Sequence, residues 1–233
     1  VAPTAHYTMG GIVVEPDTHA TSIIGLYAAG ETTSGLHGAN RLGGNSLAET
    51  VIFGRHAGEA AAQFAQENPT LPDAQSAIRL AHDDLNSVIK TGSADAGDLM
   101  TSLRNIMWET CGVVRTEEKL QSGLAQLEDI KASLDNVHVD SHMSLAHALD
   151  LRASIVSAEA TVRGAIERRE SRGAHQRTDY PDVDRNLDVN FVIRFDVDGN
   201  QVLSEQSVPP VPEDLATWLA DEEEFAIEGR LLE

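Results

Sequence analysis

With 233 residues the chain is long enough for one or two domains and a sizeable core. Its 37 acidic residues against 17 basic ones leave a formal net charge of −20, which argues against nucleic acid or anionic membrane as a partner and matches the acid excess by which halophilic proteins stay soluble. No apolar run approaches the roughly 18–20 residues that cross a bilayer, no basic-then-apolar leader opens the chain, and the single Cys111 cannot close an internal disulfide, so a cytoplasmic protein without direct membrane insertion is expected.

The chain opens at Val1 in what reads as the middle of a strand-and-turn unit, and a portion of a longer protein is expected. Val1 to Ala5, Ile12 to Val14, Ser22 to Ile24 and Leu26 to Ala29 are short β-prone runs punctuated by glycines and by Glu15-Pro16-Asp17. At Ser46 the texture turns to alanine-rich helix. Ser46 with Glu49 three residues on fits a capping box, and a helix is predicted from Leu47 to about Phe64. After a linker from Pro69 to Pro72, apolar residues recur at helical spacing: Ala77, Leu80, Ala81, Leu85 and Val88, then Leu99, Leu103, Ile106 and Met107, with a loop from Thr91 to Gly97 between them. Leu120, Leu124, Leu127, Ile130 and Leu134 mark a third helix, and a long fourth is predicted from Leu145 to Arg169. Four such stripes must bury against one another, which predicts a helical bundle that includes Met107 and Trp108 in its core. Phe191, Ile193, Phe195 and Val197 alternate with more polar residues before Asp198-Gly199 and Val202-Leu203, the pattern of a hairpin. The end of the chain, with Pro209, Pro210, Pro212 and the acidic run Asp221 to Glu224, reads as a loosely attached, solvated arm.

Chemistry-bearing residues concentrate near the start: His6 to Gly11, Gly30-Glu31, and His37 to Leu47. Consecutive glycines before a helix allow close approach to the backbone, and the helix N-terminus offers free N–H groups and partial positive charge, which suits an anionic or electron-rich ligand. A turn that needs positive φ explains a lone Gly-Gly equally well. Gly38 to Gly43 resembles the start of a phosphate loop, but Gly44 stands where a lysine is required, which excludes Walker-type nucleotide binding. Arg41 is placed to offer its guanidinium fork to a carboxylate or to form an ordinary ion pair, and His6 to contact a ligand or satisfy a neighbour. His138, His142 and His147 with Asp140 straddle a loop-to-helix junction, and no metal site is assigned to them. Cys111 reads as a buried apolar residue. Arg172, His175 and Arg177 follow the last helix as three potential cations, for which a structural ion-pair role is favoured.

Taken together, Ala5-His6-Tyr7-Thr8-Met9-Gly10-Gly11-Ile12, Gly25 to Glu31 and the eleven residues His37 to Leu47 resemble the C-terminal part of the flavoprotein subunit of succinate dehydrogenase and fumarate reductase. Met107-Trp108-Glu109, Gly112 to Arg115 and Glu170 to Pro181 continue the resemblance, which covers residues 1 to about 195. It implies FAD as cofactor and succinate or fumarate as substrate, interconverted by hydride transfer between substrate and flavin. His6 and Arg41 would hold the substrate carboxylates; Gly11, Gly30, Glu31, Asn45, Ser46 and Leu47 would contact FAD, with Glu31 on a ribose hydroxyl and Ser46 and Leu47 at the isoalloxazine. The remainder of the flavoprotein and an iron–sulfur subunit are the implied partners.

The chain departs from the whole family in carrying no Gly-x-Gly-x-x-Gly after a strand, and the resemblance places the proton-transferring arginine upstream of His6. No catalytic residue is therefore expected in this chain, which alone should neither retain FAD tightly nor turn over substrate. L-aspartate oxidase, of the same family, is the near alternative; Leu42-Gly43-Gly44 is the form associated with the succinate and fumarate enzymes. A non-catalytic helical interaction module is the alternative from another class. The expected fold is an α+β fragment: the C-terminal piece of an FAD-binding α/β domain in residues 1–66, a helical bundle in 73–180, and a C-terminal hairpin and acidic tail in 181–233.

Overall fold

A computed structural model describes residues 6–70, 73–213 and 215–216. The strand expected at Val1 to Ala5 and the acidic run Asp221 to Glu224 lie outside the described residues.

Three helices carry the core: α3 (Ala96–Cys111), α4 (Glu117–Ser133) and α5 (His142–Glu167). Each starts on a side chain that accepts an otherwise orphaned N–H. Asp95 takes the Asp98 N–H, Thr116 the Lys119 N–H, and Ser141 the Ser144 N–H in a reciprocal capping box. That box starts α5 at His142, three residues ahead of the predicted Leu145. Leu103, Leu120, Leu127, Ile130, Leu151, Ile155 and Val162 are buried between these helices, and Leu99, Ile106, Met107, Leu124 and Leu134 pack around them. The third predicted stripe is thus the central seam of the bundle.

The first of the four stripes is not. Helix α2 (Gln75–Val88) buries none of its residues, and Leu80 is 71% exposed. Only Val88, at its last turn, packs against the core, while Asp84 pairs with Arg152 of α5 at 3.0 Å. Apolar periodicity records that a face seeks cover and does not say what supplies it. Trp108, expected inside, is 57% exposed on the outer side of α3, whereas Met107 packs inward. Cys111 is buried as expected, and burial pushes its thiol pKa up.

Helix α1 (Asn45–Glu67) begins two residues before the predicted Leu47 and ends three beyond Phe64. No capping box forms. Gly44 occupies the cap position at φ 87°, a left-handed conformation that glycine adopts without steric cost, and Glu49 turns inward. Of the three short runs at Ile12 to Val14, Ser22 to Ile24 and Leu26 to Ala29, the first and third each contribute one isolated bridge in place of a strand, Ile12 with Thr33 and Tyr27 with Ala20, while Ser22 to Ile24 bends into a turn. Turn-forming side chains intercept the backbone there, as where Glu15 accepts the Asp17 and Thr18 N–H groups.

A two-residue parallel ladder that the sequence did not advertise joins β1 (Val114–Arg115) to β2 (Gln176–Arg177). The hairpin is present as β3 (Val189–Phe195) against β4 (Gln201–Ser207). Its turn is longer than an Asp-Gly pair requires: Asp196 accepts the N–H groups of Asp198 and Asn200, so Val197 sits at the loop tip, fully exposed, and not in the strand. Gln201 anchors the hairpin to α5 through the Val156 carbonyl at 2.9 Å.

Leu151→Ala is expected to destabilise the chain by about 2–5 kcal/mol, because its side chain is fully buried among the three helices. Leu80→Ala should stay within about 0.5 kcal/mol. Urea unfolding of the two variants checks both, and comparable losses would mean that α2 is covered.

Candidate active site

Three chain segments that are far apart in sequence meet ahead of α1. The Glu31 carboxylate accepts the Thr8 N–H at 2.9 Å, and the Ile12 N–H donates to the Thr32 carbonyl at 2.8 Å, so residues 6–12 lie against residues 30–33. Arg41 stacks over the Tyr7 ring at 4.8 Å, which brings in the third segment. His6 and Arg41 therefore sit on segments in contact with one another.

Beneath this junction Glu49 is almost fully buried and accepts from two donors. The Tyr7 hydroxyl donates to its Oε2, and His37 Nε2 lies 3.0 Å from the same oxygen and 3.2 Å from the Tyr7 hydroxyl. The Tyr7 and His37 rings meet edge to face at 5.2 Å. Burial, followed by the hydrogen bond to Glu49 and the negative charges of Glu49 and Glu31, pushes the Tyr7 pKa up to about 12, with Arg41 opposing. The phenol therefore stays a donor at neutral pH.

Above it Arg41 has donors to spare. One terminal nitrogen donates to the Leu42 carbonyl at 3.2 Å, its Nε is buried with no hydrogen-bond partner, and among the described residues it forms no ion pair. Gly11 packs so closely on the Thr32 carbonyl that a Cβ there would collide with it, Gly30 is buried at φ 82°, and Glu31 is exposed with one oxygen engaged. Asn45, Ser46 and Leu47 form the first turn of α1, which no side chain caps. His6 is exposed. Tyr7, His37 and Glu49 were not singled out as a unit by sequence. The available signal was an acid eight residues from Ala57, on the inward face of an otherwise exposed helix.

A second polar cluster backs the first. Glu170, fully buried, accepts from Arg168 at 2.6 Å, from Arg172 at 2.8 Å and from the Asp184 N–H at 2.8 Å. Arg177, also fully buried, pairs with Asp179 at 2.7 Å and Glu117 at 2.9 Å and donates to the Ala165 carbonyl. Arg172 and Arg177 are thus structural ion-pair partners. His175 is no third cation. Its Nε2 faces the Arg168 carbonyl at 2.9 Å, its Nδ1 faces Arg115 at 2.8 Å, and burial with the neighbouring arginines pushes its pKa down. The loop this cluster shapes reaches the first site. The Ala174 N–H donates to the Ala39 carbonyl at 3.0 Å, and a Cβ at Gly173 would collide with that oxygen. His138 lies 3.4 Å from Asp140, and among the described residues no three metal-ligating side chains converge.

Residues 100–205 match a family model described as the fumarate reductase flavoprotein C-terminal region, and residues 1–47 match an FAD binding domain. The fumarate reductase flavoprotein subunit of Proteus vulgaris is 42% identical over 203 residues, covering 82% of this chain and 33% of the relative. An L-aspartate oxidase of Acinetobacter baylyi is 38% identical over 190 residues, covering 80% and 33%. Among solved structures, Mycobacterium smegmatis Sdh1 superposes with a TM-score of 0.82 at 35% identity, covering 94% of this chain and 39% of that one. Escherichia coli quinol fumarate reductase, in a mutant form, superposes at 0.85 and 34% identity, covering 91% and 38%. The chain spans about a third of the length of the curated relatives it matches.

Arg177 and the backbone N–H of Glu117 hold the Asp179 carboxyl well below its ordinary value of 3.8. A depressed folded pKa gives stability that is complete above the unfolded value and lost as pH falls through the acid range. Asp179→Asn is therefore expected to cost about 1–3 kcal/mol at pH 7, by leaving buried Arg177 underpaired, and to flatten the fall of stability below about pH 4. Denaturation midpoints at pH 7 and pH 3 check both; an unchanged acid slope would remove Asp179 from this account.

Proposed function

The chain belongs to the fumarate reductase and succinate dehydrogenase flavoprotein family, which includes L-aspartate oxidase, and on that ground we propose that it acts as part of an FAD-dependent oxidoreductase interconverting succinate and fumarate. The observation that carries this reading is Arg41. A guanidinium held over an aromatic ring, with no ion-pair partner among the described residues, is a ready receptor for a carboxylate.

The residues present also suit FAD. The uncapped first turn of α1 leaves N–H groups and partial positive charge facing outward from Asn45, Ser46 and Leu47, as a flavin edge that gains negative charge requires. Glu31 keeps one carboxylate oxygen open for a ribose hydroxyl, and Gly11 and Gly30 keep the neighbouring backbone free of side chains. Bound there, FAD would supply the hydride acceptor that no side chain offers. His6 and Arg41 would grip the two carboxylates of a four-carbon dicarboxylate and align its central bond, which is positioning and charge neutralisation with no proton transfer by this chain. The proton-transferring arginine belongs to the upstream part of the complete protein in this reading.

The same reading divides the chain into the end of an FAD-binding domain (1–66), a helical bundle (73–180) and a hairpin with its tail (181–233). The fumarate reductase relative of Proteus vulgaris is named as a flavoprotein subunit, and an iron–sulfur subunit is the proposed electron partner. Among the described residues no helix is long and apolar enough to cross a membrane. In this reading the chain works on the cytoplasmic side and any membrane attachment comes through partner subunits. Leu42-Gly43-Gly44 favours the dicarboxylate substrate over L-aspartate.

In the complete flavoprotein, Arg41→Ala is expected to lower turnover of succinate or fumarate by about 100-fold or more while the flavin spectrum stays intact. Near-normal turnover in that variant refutes the clamp. Assaying the parent on succinate, fumarate and L-aspartate with an artificial electron carrier separates the substrates, and L-aspartate turnover with oxygen would transfer the site to the oxidase.

A further inference from the structure

An arginine that must receive a carboxylate cannot be fixed by one of its own, since an ion pair would consume the donors the ligand needs. Arg41 is fixed by a ring. Tyr7 lies under the guanidinium at 4.8 Å, and the ring cannot swing because its hydroxyl is bonded to Glu49 and its edge meets His37 at 5.2 Å. Glu49 in turn is rooted in α1 and buried, so its position follows the helix. A carboxylate accepting the phenol proton also enriches the ring in electron density, which strengthens its attraction for a cation on its face. The negative charge thus acts on Arg41 through the ring, without direct contact to the guanidinium.

We propose that Tyr7, held by Glu49 and His37, is the positioning residue of the substrate clamp: it aims the Arg41 guanidinium by stacking and leaves its nitrogens for the ligand. The inference rests on the dicarboxylate reading of Arg41. Tyr7 is exposed to neither role by motif alone, because its neighbour His6 carries the polar group directed at the ligand in that reading.

In the complete flavoprotein, Tyr7→Leu is expected to weaken binding of malonate, a dicarboxylate with no ethylene unit to oxidise, by about three- to tenfold, with kcat/KM reduced at least equally and flavin content unchanged. Binding is read from the perturbation of the flavin spectrum. Tyr7→Phe keeps the stacking ring but lacks the hydroxyl that Glu49 anchors, and Glu49→Gln weakens the same anchor, so each should lose about two- to threefold, less than Tyr7→Leu. If Tyr7→Leu binds malonate within twofold of the parent while Arg41→Ala has lost binding, the positioning role is overturned and the clamp stands. If Arg41→Ala also binds normally, the dicarboxylate reading itself has failed. Should Tyr7→Leu not fold, the other two variants decide: parental malonate affinity and kcat/KM in Tyr7→Phe overturns the role, and a partial loss in Tyr7→Phe at least equal to that in Glu49→Gln supports it.

Discussion

A carboxyl group buried at the start of a helix must be given hydrogen-bond donors or its burial is costly. Glu49 is that group, and the geometry of the N-terminal segments follows from satisfying it. Its two donors come from chain positions 42 and 12 residues away, so the hydrogen bonds that relieve Glu49 also join the His6 segment and the His37 segment to α1. The price of the burial is the capping box that Glu49 and Ser46 would otherwise form. Gly44 fills the cap position with a backbone conformation and no side chain, and the first N–H groups of α1 are left without a side-chain cap. One diverted acid therefore supplies both the brace under Arg41 and the open helix end.

The bundle uses the same device on its own account. Glu170 and Arg177 are fully buried charges, each with several partners, and together they fold residues 168–188 into a fixed loop rather than a free linker. Removing a partner from either node would leave a buried charge underpaired, which is why such networks specify geometry more than they add net stability. The loop's consequence lies at Gly173-Ala174, where the backbone meets Ala39 three residues after Leu36 and two before Arg41. The helical unit is thereby tied to the segment that carries Arg41.

Local signals in the sequence were read successfully where the information is local. The seam Leu120 to Leu134 and the hairpin around Asp198-Gly199 depend on periodicity and turn chemistry, and both are present. The failures share a cause. Leu80 and Trp108 were placed inside because an apolar residue on a helix was taken to imply a neighbour among the described helices, and Ile12 to Ala29 were read as strands because β-propensity does not reveal whether a pairing partner exists. At the site, the motif resemblance picked out His6, Arg41 and the turn of α1, whereas Tyr7, His37 and Glu49 became a unit only in three dimensions. Glu49 was misassigned for a physical reason: the spacing that makes a capping box is the same spacing that turns a side chain toward the helix's first turn, and burial decided between the two uses.

The charge of the whole chain sharpens what such a site must do. At a net charge of −20, long-range attraction works against a dianionic ligand, and screening confines any electrostatic gain to roughly 8 Å at physiological salt. Affinity must then come from short-range, directed donors: a guanidinium, a histidine and a helix end. A cation held by ion pairing would have much of its field cancelled by its own partner. A cation held on a ring whose hydroxyl is bonded to a carboxylate keeps its donors free, while the carboxylate lies at the hydroxyl edge of the ring and does not pair with the cation.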